Sequence, residues 1–291
     1  DNDGGYPYFN DPVFIGNKLY GMTYSGGYDG NGTIYRINTN GSGYEKIYDF
    51  ISSDNNPYYP YSPLYKGSDN FIYGTSNSGG YNGDGTIFRF NPADLTVNTA
   101  TGTSTITGLQ RIMDYDYNIT GSSPESYPLF FSNDGFVYSL TPEGGLNDYG
   151  VLGKFKLADI DYNATFTGFT TIPGFTVIKT FDSKSGGYIY GELLEYQGHF
   201  YAIGSDGNGS IMKISKDGSD VTVLRTFYQN EGSNPIGDLI KHPNGKIYGT
   251  TEYGGKNGMG TIFSVTDNGI FNLAFQFTDY NRHGQYPRGL T

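Results

Sequence analysis

The chain has 291 residues, with 18 Lys and Arg against 29 Asp and Glu for a net charge of −11, and it contains 45 Gly, 29 Tyr and 20 Phe but no Cys or Trp and only six Ala. The lack of Cys excludes thiol enzymes, zinc–cysteine sites and disulfide scaffolds. So little Ala argues against a mainly helical chain, and the acidic charge argues against nucleic acid or an anionic membrane as partner. No run of 18 apolar residues is present, so membrane insertion through a helix is not expected. The start, Asp1-Asn2-Asp3-Gly4-Gly5, has neither the basic nor the apolar region of a secretion signal. With abundant Tyr, Asn, Gly and Thr, the chain reads as an extracellular or cell-surface protein whose secretion signal lies outside this sequence.

Taken in chain order, the predicted elements repeat. Pro12-Val13-Phe14 is a short apolar step, and Leu19-Tyr20-Gly21-Met22-Thr23 a second strand. Gly32-Thr33-Ile34-Tyr35-Arg36 opens a third, and Ile47-Tyr48-Asp49-Phe50 is a fourth. The Tyr of the second strand recurs at Tyr73, Tyr138, Tyr201 and Tyr248, at intervals of 47 to 65 residues. The Gly of the third recurs at Gly85, Gly150, Gly209 and Gly260. Tyr and Gly stand 12 residues apart in four copies and 8 apart in the fourth. Turns such as Asn133-Asp134-Gly135 and Pro243-Asn244-Gly245 join the first strand to the second. Alternating β-branched and aromatic residues between such turns signal strands and hairpins. Ala93-Asp94-Leu95 and Ala158-Asp159-Ile160 each open a Thr-rich extension, which enlarges repeats two and three.

Four antiparallel strands per repeat, five times over, predict an all-β fold, a β-propeller of five blades with four antiparallel strands each. The expected organisation is one domain over 1–291, with repeat units near 6–56, 57–120, 121–186, 187–231 and 232–281. The remaining 282–291 is a ring-closing or linker segment. Its Tyr286-Pro287 echoes Tyr59-Pro60, so a surplus strand is expected to pair at an edge, and self-association through a terminus is expected with it.

The pattern Tyr-Gly-Thr-Thr, Gly-Gly, Asn-Gly-x-Gly-Thr-Ile-Phe resembles the GloVer-type tandem repeat of secreted and surface-anchored bacterial proteins. Thr250, Thr251, Gly254, Gly255, Asn257, Gly258, Gly260, Thr261, Ile262 and Phe263 carry the resemblance best. It covers nearly the whole chain, though the third copy is degenerate and the fourth lacks the Gly pair. The resemblance implies an extracellular propeller and assigns no catalytic residue.

The loops before the third strand hold the candidate binding residues: Tyr28, Asp29, Asn31, Tyr81, Asn82, Asp84, Tyr253 and Asn257. Flat aromatic faces beside amides and carboxylates suit a sugar ring. The same loops place oxygens at alternate positions, as a calcium loop does. No Glu closes them, however, and the fifth copy has no carboxylate. The residues read better as turns that cap backbone donors, with calcium the one cofactor left open and no metal site assigned. Asp11, Glu192 and Asp238 lie near the first strands and are the alternative catalytic set, since glycoside cleavage needs two carboxylates about one bond. Asp11 and Glu192 lie nine residues before the following Tyr and Asp238 ten, so their offsets are not all the same. Arg36, Arg89, Lys154 and Lys213 share one third-strand position, Ser264 in the fifth copy, and are expected to pair with the Asp ending the fourth strand (Asp49, Asp114 or Asp116, Asp182, Asp279). The expected function is therefore a non-enzymatic module for binding or assembly at a bacterial cell surface, with a protein or glycan partner. The alternatives are a lectin-like propeller, its fourth site the poorest because of the short loop, and a glycoside hydrolase or lyase.

Overall fold

The computed structural model describes residues 3–7, 12–52, 56–98, 103–124, 129–161, 168–280 and 284–290. The first repeat forms one sheet from β1 (Val13–Ile15), β2 (Lys18–Thr23), β3 (Thr33–Asn38) and β4 (Glu45–Asp49), paired in that order. The second holds β5 (Tyr58–Pro60), β6 (Tyr65–Lys66), β7 (Ile72–Ser78), β8 (Thr86–Phe90), the hairpin β9 (Leu95–Asn98) and β10 (Thr103–Ile106), and β11 (Gln110–Asp114). Its sheet runs β11-β8-β7, with β5 and β6 both on β7. The third holds β12 (Phe130–Phe131), β13 (Val137–Thr141), β14 (Val151–Phe155) and β15 (Thr176–Thr180), with a 3₁₀ turn at Leu157–Asp159. The fourth is β16 (Ile189–Tyr196), β17 (His199–Gly204), β18 (Ser210–Ser215) and β19 (Val221–Thr226). The fifth is β20 (Ser233–Lys241), β21 (Lys246–Tyr253), β22 (Thr261–Thr266) and β23 (Phe271–Gln276). The chain divides into two compact units, 1–144 with 153–177 and 145–152 with 178–291. The Thr-rich extensions differ: the second repeat makes a hairpin where the third begins with the 3₁₀ turn.

Inner strands are buried on both faces. β8 is buried at every residue, and β17 at all but His199. The outer strand β23 alternates between partly buried and exposed residues, the pattern of a strand with one wet face. Cores form between successive sheets: Met22, Ile34 and Phe50 with Leu64, Phe88 and Phe90; Tyr73, Ile87 and Met113 with Val137 and Phe155; Tyr201 and Ile211 with Leu239, Phe263 and Val265.

The first signature is explained by its cross-strand partner. Gly21 pairs with Tyr35, Gly74 with Phe88 and Gly249 with Phe263. A Cβ on these glycines would meet the partner ring at 2.5 to 2.6 Å, so the aromatic lies across the glycine. The signature Tyr is held from the preceding turn. Tyr73 donates to Asp69 Oδ2 at 2.6 Å and Tyr138 to Asp134 Oδ2 at 2.9 Å, while Tyr248 accepts from Asn244 Nδ2 at 3.0 Å.

The Thr residues of both signatures meet in buried pairs. Thr23 and Thr33 Oγ1 are 2.9 Å apart, Ser76 Oγ and Thr86 Oγ1 2.8 Å, and Thr251 and Thr261 Oγ1 2.8 Å. Each pair closes the hairpin where the loop leaves it. Thr251→Val alone strands the Thr261 backbone N–H, which donates to Thr251 Oγ1 at 3.1 Å. That change is expected to cost about 1–3 kcal/mol. Adding Thr261→Val is expected to cost less than the two single losses combined, measured by urea unfolding in a double-mutant cycle.

The second signature is the joint of each repeat. The Gly carbonyl accepts the N–H of the aromatic that follows the fourth strand: Phe50 to Gly32 at 3.0 Å, Tyr115 to Gly85 at 3.0 Å, Phe181 to Gly150 at 3.0 Å, Phe227 to Gly209 at 2.9 Å and Phe277 to Gly260 at 3.1 Å. The same glycines receive a proline. A Cβ on Gly32, Gly85 or Gly260 would lie 2.6 to 2.8 Å from Cδ of Pro60, Pro124 or Pro287, and one on Gly209 would overlap the Pro235 ring. The residue before each proline donates its N–H to the loop: Tyr59 to Asn31, Ser123 to Asp84, Asn234 to Asn208 and Tyr286 to Met259, at 2.9 to 3.2 Å. These four residues have φ of 51° to 58°, which costs backbone strain in a non-glycine. The segment at Tyr286-Pro287 thus packs on the fifth repeat as Asn234-Pro235 packs on the fourth.

The cation expectation is corrected. Arg36 Nε donates to Glu45 Oε2 at 2.7 Å, directly across the sheet, rather than to Asp49. Arg89 Nε donates to Gln110 Oε1 at 2.9 Å and lies over the Phe71 ring. Lys154 lies over Phe136, and Lys213 pairs with Asp267 at 2.6 Å. The terminal Asp lies opposite the start of the third strand, Asp49 at Thr33 and Asp114 at Thr86, three residues from the cation. A bulge in the third–fourth strand pairing, at Ile34/Tyr35 in the first repeat and Arg111/Met113 in the second, brings Glu45 and Gln110 opposite Arg36 and Arg89 instead.

Candidate functional site

The loops between the second and third strands are ordered by their own polar groups. Asp49 Oδ1 accepts the Tyr28 N–H at 3.0 Å, Asp84 Oδ2 the Tyr117 N–H at 2.9 Å, and Asp116 Oδ2 the Asn82 Nδ2 at 3.1 Å. Asn257 Nδ2 donates to the Thr278 carbonyl at 2.7 Å. Asn31 is buried, and Asp29 is exposed at the loop tip. These carboxylates and amides thus clamp the loop to the end of the fourth strand. Among the described residues, no group of three or more His, Asp or Glu gathers at a spacing that holds a metal ion.

The clamped loops present apolar side chains outward. The residue after each Gly pair is Tyr28, 85% exposed, in the first repeat, Tyr81, 56%, in the second, and Leu146, 83%, in the third. The fifth repeat has Lys256 there, and its Tyr253 lies one residue before the Gly pair with its ring 5.2 Å from that of Tyr286.

Asp11 lies outside the described residues. Glu192 and Asp238 are both exposed and follow Gly191 and Gly237 at the bulges of β16 and β20. Register makes them equivalent, because Leu194 pairs with Tyr201 as Ile240 pairs with Tyr248. Their unequal distance from the Tyr comes from a turn one residue longer before Tyr248. The first strand is also longer than its short apolar step predicts, since a Gly bulge lets one strand follow both parts of its neighbour in β16 and β20.

A cavity of about 320 Å³ lies between the loop of the fourth repeat and the opening of the fifth. Ser205, Asn208 and Gly209 line one side, and Ser233, Asn234 and Pro235 the other. The sequence signals for it are the four missing loop residues and a Ser at the position of Tyr24.

Asp114 at the end of β11, and Asp217 and Asp267 in the turns that follow β18 and β22, depart from the usual range. Burial raises the Asp114 carboxyl above the usual aspartate range, against the Thr170 N–H and Arg111, which favour its charged form. Hydrogen bonds from Lys213 and Tyr201 lower Asp267. The Ser219 hydroxyl and N–H push exposed Asp217 down to about 2.

No curated protein matches the sequence significantly. Many solved structures match this chain, among them two that share the fold. One is the extracellular domain of a protein provisionally assigned as a hybrid two component system from B. thetaiotaomicron: 12% identity, TM-score 0.52, 95% of this chain and 29% of that one covered. The other is a mutant puromycin hydrolase complexed with PGG: 13% identity, TM-score 0.55, 94% of this chain and 39% of that one covered. At such identity the likeness establishes the β-propeller fold alone. The profile of the Gloeobacter/Verrucomicrobia repeat matches residues 1–173 and 164–291. The GloVer-type signatures and this match agree along the whole sequence, and the chain belongs to the Gloeobacter/Verrucomicrobia repeat family.

Proposed function

We propose that the chain is an extracellular binding module without catalysis of its own, which engages a protein or glycan at a bacterial cell surface through the loops between second and third strands. The observation that carries this reading is the exposed apolar residue after the Gly pair, Tyr28, Tyr81 and Leu146, on loops that hydrogen bonds tie to the end of the fourth strand. A clamped loop loses little entropy on binding, and an aromatic ring held in solvent gains most from being covered. The extracellular setting is supported by the repeat family and by one propeller relative being an extracellular domain. A lectin-like role is the finer form of the same reading, since a Tyr face stacks on a sugar ring as well as on a protein surface.

A glycan array and a pull-down from bacterial envelope material, each with wild type and the Tyr28→Ala/Tyr81→Ala double variant, test the proposal. Removing two anchoring rings is expected to weaken binding at least tenfold, about 1–2 kcal/mol per ring at an interface. Unchanged binding by a folded double variant would sink it.

A further inference from the structure

We propose that the cavity between the fourth and fifth repeats is a binding site for one neutral sugar residue, separate from the Tyr28 and Tyr81 loops. At two other joints the equivalent position is filled by a larger side chain. At the first joint the position of Ser205 is Tyr24, whose ring stacks on Tyr59 at 5.2 Å and meets Tyr61 edge-on at 5.3 Å. At the fifth repeat the position is Glu252, held by Arg288 Nη2 at 2.7 Å. The fourth repeat has a serine there, and its loop is four residues shorter. Neither side chain nor loop fills the gap, and about 320 Å³ remains. That is the low end of the range for small-molecule sites, of order 300–1,000 Å³, and suits one pyranose rather than a longer chain.

The lining fits a polyol. Asn208 Nδ2 is committed to the Phe227 carbonyl at 3.3 Å and Asn234 Nδ2 to Glu252 Oε2 at 2.7 Å. Each amide oxygen is thereby fixed in orientation as an acceptor. Ser205 Oγ accepts the Tyr188 N–H at 3.0 Å and keeps its own proton to donate. Ser233 adds a second hydroxyl, and Pro235 supplies an apolar edge where its ring packs on Gly209. Each wall thus offers one amide acceptor and one hydroxyl, a pairing that suits the hydroxyls of a pyranose. The lining holds no Lys, Arg or His, and the Asn208 and Asn234 side-chain amide N–H groups are committed elsewhere, so a phosphate or a uronic acid finds no charged partner there.

The test is an amide-resolved NMR titration of the whole chain with the methyl glycosides of glucose, galactose, mannose and N-acetylglucosamine. At least one is expected to give saturable shifts at Ser205, Asn208, Ser233 and Asn234, with millimolar affinity. Ser205→Tyr, which restores the side chain of the first joint, is expected to abolish them. Ser233→Ala, a smaller change, is expected to weaken binding about 2- to 10-fold, the value of one neutral hydrogen bond. The Tyr28→Ala/Tyr81→Ala variant is expected to titrate as wild type, so failure here and failure of the loop reading are told apart. No saturable shift in wild type, shifts that persist in folded Ser205→Tyr, or equal shifts with phosphate or calcium chloride would each overturn the assignment.

Discussion

Asp114→Ala is expected to destabilise the protein by about 3–5 kcal/mol, the cost of leaving a buried charge without its partner. Asp114 is fully buried, Arg111 Nη1 lies 3.2 Å from its Oδ1, and the Thr170 N–H donates to Oδ2 at 2.8 Å. Alanine removes the carboxylate from the Arg111 guanidinium, which keeps its bond to the Gly168 carbonyl, and strands the Thr170 amide. Asp114→Asn keeps an oxygen for Thr170 and is expected to lose markedly less, as read by urea unfolding. The pH dependence has a definite sign. Because burial raises the folded carboxyl, its favourable contribution is full below the unfolded value of about 3.9 and is lost as pH rises through the folded value. Asparagine has no such term, so the gap between wild type and Asp114→Asn is expected to narrow from pH 3 towards neutrality.

Gly209→Ala is expected to cost about 3 kcal/mol, combining a disfavoured backbone region with overpacking. Gly209 has φ +107°, and its Cβ would enter the Pro235 ring, which the next repeat holds in place through Asn234. Gly207→Ala, two residues away, is the control. It has φ +60° and meets only Thr226 Cγ2 at 3.7 Å, so about 1–2 kcal/mol is expected from the backbone alone. Equal losses for the two variants, by thermal or urea unfolding, would show that the proline–glycine joint adds nothing.

The sequence carries the repeats because both signatures are sets of neighbouring residues with local jobs. Tyr-Gly marks a ring lying across a glycine, and Gly-Thr marks a carbonyl, a buried hydroxyl pair and a proline seat. Such needs survive in each copy and read as period. What depends on register reads poorly. Nothing near Arg36 marks Glu45 as the residue opposite it, because the bulge that selects Glu45 over Lys46 is one unpaired residue on the neighbouring strand. The extra strand β5 is invisible for a similar reason: Tyr58–Pro60 is short, and its pairing with Ser76 and Ser78 comes from the joint. Glu192 and Asp238 look inequivalent by counting because a turn length intervenes. At the candidate loops the residue types are legible, but an Asn that clamps its own fourth strand is written like an Asn that waits for a ligand. The cavity was written as a deficit, four missing residues and a Ser in place of Tyr24, and a deficit names no chemistry until the walls around it are known.

The most direct test of binding without turnover is release of reducing ends from the polysaccharides and envelope glycans that the protein retains. Glu192 and Asp238 occupy equivalent exposed bulges, and two acids there are what a hydrolytic mechanism would require. The account predicts retention with no release above the protein-free control. Robust release by wild type that disappears in Glu192→Gln or Asp238→Asn would contradict it.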